Sequence, residues 1–96
     1  MRAIAVFLET IRDQAAFEAY RSRVLPTLEP FGGRFIVRGG AFTVIEGAIP
    51  QKRIVMIEFP SRAAAEGWYG SDAYQAILPM RRRAGDCDAF IIDAVD

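Results

Sequence analysis

Two segments of this chain are apolar at nearly every position, and that limits what it can fold into more than any other feature. Ala3 to Leu8 reads AIAVFL, and Ile54 to Phe59 reads IVMIEF. Successive side chains of a strand point to opposite faces. In the first segment Ala3, Ala5 and Phe7 therefore face one way, and Ile4, Val6 and Leu8 the other. In the second, Val55, Ile57 and Phe59 oppose Ile54 and Met56. A strand of this kind is central in a sheet and covered on both sides.

The segments between supply the covering. Asp13 is an N-cap for a helix with Phe17, Tyr20, Val24 and Leu28 on one stripe; Pro26 kinks or splits it, and Pro30 with Gly32-Gly33 ends it. A strand starts at Arg34 and meets Gly39-Gly40, which reads either as a hairpin turn or as a break in one long strand. The broken strand is preferred, because Phe42 to Gly47 then pairs with Arg53 to Phe59 and sets Glu46 opposite Arg53. Ser61 caps a further helix, with Ala64 and Trp68 on one side. Gly70 interrupts that helix and Ser71 restarts it, with Tyr74, Ile77, Leu78 and Arg81 on one face and a kink at Pro79. Asp88 to Val95 forms the last strand.

The order is βαββαβ, the split βαβ or ferredoxin-like arrangement, an α+β fold with a four-stranded antiparallel sheet over a single domain of residues 1–96. Its helices cover one sheet face only. A hydrophobic fraction of 52% is high for 96 residues and agrees with apolar surface that one copy leaves uncovered. The economical solution is a homodimer in which two sheets meet as a two-chain α+β barrel with an interior cavity.

Composition removes several function classes. Twelve basic and twelve acidic residues cancel, so no global field favours nucleic acid or an anionic membrane. Arg81-Arg82-Arg83 is a local cluster only. The chain has no histidine, which excludes histidine ligation of haem and a histidine general base. Cys87 is the single cysteine; it can form neither an internal disulfide nor a thiolate metal set, and it fits a reducing compartment. Neither GxGxxG nor GxxxxGK[ST] is present. No cofactor and no metal are expected. No apolar run reaches the roughly 20 residues of a membrane span, no leader pattern precedes the first strand, and a cytoplasmic location is expected.

The pieces GGRFIVRGG, IEG, RIVMIEFPS and WYGSDAYQ, followed by an arginine-rich helix end, resemble the bacterial family known as domain of unknown function thirteen-thirty. The resemblance runs from about Ala3 to Ala94. That family belongs to the dimeric α+β barrel superfamily, so the resemblance implies the fold and the dimer and carries over no catalytic residue. The wider superfamily includes cofactor-free monooxygenases, lactone isomerases and haem-binding members, and fold alone chooses none of them.

The candidate site comes from charges and phenols set among apolar residues. Glu58 interrupts an apolar strand and is the candidate general base, with a structural carboxylate as the competing role. Arg38 ends a strand beside Gly39-Gly40 and can clamp a carboxylate. Arg81 shares the inward stripe of Tyr74 and is expected beside Glu58. Tyr20 and Tyr74 complete the ligand-binding set. Two functions stay open: a cofactor-independent enzyme acting on a small aromatic or anionic metabolite, and a non-catalytic dimerisation or ligand-binding module. An open pocket with perturbed ionisable groups favours the first, and a solidly packed interior the second.

Overall fold

The two segments apolar on both faces become β1 (Ala3–Ile11) and β3 (Arg53–Phe59), side by side at the centre of a four-stranded antiparallel sheet. The computed structural model describes residues 1–95. The outer strands are β2 (Arg34–Arg38), beside β3, and β4 (Gly85–Asp93), beside β1. Helices α1 (Gln14–Arg21) and α2 (Val24–Leu28) connect β1 to β2, and α3 (Arg62–Tyr69) and α4 (Asp72–Ala84) connect β3 to β4. The fold is the ferredoxin-like α+β arrangement.

Local chemistry sets the helix ends. Asp13, Ser61 and Ser71 each accept a hydrogen bond from the backbone N–H three residues on, at 3.0, 3.0 and 3.3 Å, and so cap α1, α3 and α4. Pro26 splits the first helical segment as expected. The break falls before it, at Ser22-Arg23, which places the proline in the first turn of α2, where its missing N–H leaves no bond unmade. Pro79 lies inside α4 without ending it. The last strand begins at Gly85, three residues earlier than expected, because Gly85 lies against Thr10. A Cβ there would come within 2.0 Å of the Thr10 carbonyl oxygen.

All four helices pack on one face of the sheet. Ala5, Phe7, Val55, Ile57 and Phe59 point into that core and meet Trp68, Tyr74 and Leu28. Trp68 is held at both ends of its ring system. Its indole stacks at 4.3 Å from the Tyr74 ring, and its N–H donates to the Thr27 hydroxyl at 2.9 Å. Thr27 in turn donates to the Val24 carbonyl at 2.6 Å. The other sheet face carries Ile4, Val6, Leu8, Ile54, Met56 and, on β4, Phe90 and Ile92, the last two 50% and 52% exposed.

The expected strand over Phe42 to Gly47 does not form. Strand β2 ends at Arg38 after a bulge between Phe35 and Val37, and Arg34 to Arg38 pair with Glu58 to Val55. Gly39 then turns the chain away from the sheet at φ 75°, and residues 40–52 are irregular. Glu46 therefore never faces Arg53, whose partner across the ladder is Glu9 of β1.

Replacing Thr27 with Val preserves shape but strands the buried indole N–H and frees the Val24 carbonyl. Urea unfolding is expected to show a loss of roughly 1–3 kcal/mol; an unchanged midpoint would mean that the Trp68 bond contributes nothing net.

Candidate functional site

Beneath the helices, at the end of the central strands, lies a group of charges that the fold keeps from water. Glu9 is 3% exposed and Arg81 is 8% exposed, both on the helix side of the sheet. Glu9 accepts a hydrogen bond from Arg53 Nε at 3.1 Å. The Arg53 guanidinium stacks 5.0 Å from the Phe17 ring centroid, and that of Arg81 5.3 Å from the Phe7 centroid. Arg81 Nη1 is buried and has no hydrogen-bond partner among the described residues. Tyr20 from α1 and Tyr74 from α4 join their hydroxyls at 2.8 Å.

Burial pushes the Glu9 carboxyl above its ordinary value of 4.5, against the opposing charges of Arg53 and Arg81. Tyr20 is raised by burial and then by the neighbouring Tyr74 phenol, and Tyr74 is raised by burial as well, so both phenols stay protonated. Burial works against the Arg81 charge, but the acidic groups around it, Tyr74 first and then Cys87, more than offset it. Arg81 remains a cation. Cys87 faces the same region; burial lifts its thiol to about 11, so it is no nucleophile near neutral pH.

Toward the surface the cluster opens into a cleft between α1, α2 and the β2–β3 edge, where Arg21 and Arg38 join Arg53. Arg38 lies 4.1 Å from the Phe35 ring centroid and donates to the Arg21 carbonyl at 3.4 Å. Burial, and after it the like charges of Arg21 and Arg53, lower its pKa. No carboxylate ion-pairs with it among the described residues. The free space in this cleft is about 20 Å³, enough for a water molecule. On the far side of Phe7 a larger slot of about 280 Å³ runs between Ala5 and Ala89 on the sheet and Trp68 and Tyr69 on α3.

Of the residues singled out in the sequence, Tyr20, Tyr74 and Arg81 come together, and Arg38 stands at the cleft mouth. Glu58 does not join them. It points to the opposite sheet face with Ile54 and Met56, where Arg34 holds it at 2.9 Å and Arg2 at 2.5 Å. Hydrogen bonds from those arginines keep its carboxyl below the usual range. The expected Glu58–Arg81 contact is thus corrected. Glu58 shares the even-numbered side of β3, whereas α4 covers the odd-numbered side. The acidic residue that Arg81 accompanies is Glu9, which follows an apolar run just as Glu58 interrupts one. The same criterion applied to the end of AIAVFLE finds it. Among the described residues no group of three His, Cys, Asp or Glu side chains is placed to hold a metal ion, and no helix is long and apolar enough to cross a membrane.

A four-stranded antiparallel sheet with its helices on one face is the ferredoxin-like α+β fold. More specifically, the chain belongs to the family described as Domain of unknown function (DUF1330), whose model matches residues 2–95. Among solved structures, the RPA0582 protein of unknown function from Rhodopseudomonas palustris superimposes with a TM-score of 0.77 at 18% identity, covering 99% of this chain and 83% of that one. A variant of SnoaB, described as a cofactor-independent oxygenase from Streptomyces nogalater, gives 0.69 at 12% identity over 99% and 94%. A dimeric ferredoxin-like protein of unknown function from Jannaschia sp. CCS1 gives 0.65 at 9% identity over 98% and 100%. At these identities the likeness is one of fold. No curated protein matches the chain.

A carboxyl whose pKa is higher in the fold than in the unfolded chain holds its proton more tightly when folded. The stability it contributes is full below about 4.5 and is lost as pH rises through the folded value. Glu9→Gln has no such dependence. The stability difference between parent and variant should therefore shift in favour of the variant as pH is raised above 4.5 in parallel urea titrations. A difference that stays flat, or moves the other way, contradicts a raised Glu9 pKa.

Proposed function

We propose that this protein is a homodimer that binds one small aromatic anion per subunit and moves a proton on it without a cofactor. The observation that carries this reading is the buried Arg81, a cation with a vacant N–H beside Glu9 and the Tyr20–Tyr74 pair. Arg21, Arg38, Arg53 and Arg81 outnumber the carboxylates Glu9 and Glu18, so the region carries excess positive charge that an anion would neutralise. Beyond Phe7, whose ring lies 5.3 Å from the Arg81 guanidinium, the slot of about 280 Å³ between Trp68 and the two alanines is of a size for a single flat ring. Burial raises the Glu9 pKa and so makes it a stronger base than an exposed carboxylate, the role first sought in Glu58. SnoaB, which shares the fold, is described as a cofactor-independent oxygenase, a precedent for chemistry on this fold without a cofactor.

A second reading has its own support. The cleft at Arg38 has room for about one water, so the interior is nearly filled, as in a module that only assembles or only binds. Calorimetric titration with benzoate and with 1-naphthoate separates the two. Under the proposal at least one binds, Arg81→Met weakens it about 10–100-fold through loss of a charge-assisted pair, and Glu58→Gln leaves it unchanged. Absence of binding to the parent protein by either probe, or equal binding by the Arg81 variant, removes the anion site.

The homodimer reading is supported by the sheet face without helices over it, where Ile4, Ile54 and Met56 lie and Phe90 and Ile92 are exposed. Light scattering on a sizing column at micromolar concentration should return about twice 10.7 kDa; a monomer mass would overturn the pairing.

A further inference from the structure

Residues 39–52 join two adjacent antiparallel strands, a task that usually takes two to five residues. The sequence at their centre, Phe42-Thr43-Val44-Ile45, is made of strong strand formers. Yet among the described residues none of 40–52 makes a backbone–backbone hydrogen bond; the last such bond on this side is Gly39 N–H to the Ile54 carbonyl at 2.8 Å. The side chains are equally unsatisfied. Phe42, Val44 and Ile49 are exposed and Ile45 is 90% exposed. A segment with strand propensity, open backbone and apolar side chains in water is one whose partner is another chain.

Its place in the fold says which chain. Phe42 borders a hollow of about 550 Å³ together with Ile36, Val37, Ile54 and Met56, so the segment is continuous with the open sheet face. Its far end is tied across that face by Gln51, which donates to Asp88 at 3.2 Å. The segment contains one acidic and one basic residue, Glu46 and Lys52, and the whole chain is neutral, so a second copy meets no net repulsion. We propose that residues 42–46 form an arm that becomes a β-strand by pairing with the backbone of the second copy in the homodimer. This rests on the dimer reading above and adds to it that the arm, as well as the sheet face, makes the interface.

Amide hydrogen exchange on the intact protein, with light scattering on the same sample, tests it. The expected result is a dimer in which the amides of 42–46 exchange slowly. Val44→Pro, which removes a donor and fixes φ, should abolish that protection and raise the concentration at which the dimer dissociates by tenfold or more, while Val44→Ile does neither. A dimer whose 42–46 amides exchange at unprotected rates overturns the arm and leaves the sheet-face dimer standing. A monomer overturns both. Protection that persists after dilution to monomer overturns the arm too, by showing that the segment pairs within its own chain.

Discussion

The carboxylate of Glu9 sets the terms for one whole end of this molecule. A buried carboxylate is tolerated only beside a compensating cation, and Arg53, directly opposite on the neighbouring strand, is that cation. Turning inward to reach Glu9, the Arg53 guanidinium occupies space beside Gly39, where a Cβ would stand 2.1 Å from Nη1. Position 39 favours glycine through its positive φ, and any side chain there would also displace the Arg53 guanidinium from Glu9. That glycine is also where β2 stops and the chain departs from the sheet. One ion pair thus links the chemistry under the helices to the shape of the edge outside.

The sequence was legible where a residue's role depends on its near neighbours. The caps at Asp13, Ser61 and Ser71 are local, and the alternation in AIAVFL and IVMIEF suffices to make those strands central. The inward stripe of α4 likewise placed Tyr74 and Arg81 together. What escaped was decided at longer range. FTVIEG has every local property of a strand, but a strand needs a partner, and β3 had already given its ladder to Arg34–Arg38 and to β1. Glu58 and Arg81 both read as inward residues. The sheet has two insides, however, one against the helices and one against the open face, and pattern alone does not say which charge enters which.

This also bears on how far the family resemblance reaches. Chains with 9–18% identity share the sheet and its one-sided helices, since that architecture depends on alternation and capping, which many sequences satisfy. The Glu9–Arg53–Arg81 group depends on particular side chains at particular register positions. It is the part of this molecule that composition of the fold does not dictate, and so the part where a function peculiar to the chain is to be sought.

The pair of phenols at Tyr20 and Tyr74 holds two hydroxyl hydrogens for one mutual hydrogen bond, and either oxygen can be the donor. One hydrogen is therefore always left over, on whichever phenol accepts. Reversing the bond requires only that two O–H vectors rotate, with no heavy atom displaced and no net charge created. The pair is a two-position dipole at the junction of α1 and α4, and its orientation is set by whatever lies next to it. An oxyanion near Tyr74 would align it one way, with Tyr20 donating to Tyr74, and an ionised Glu9 near Tyr20 would align it the other. Two side chains that serve as packing in every other respect can in this way register, at one end of the cluster, the protonation state at the other.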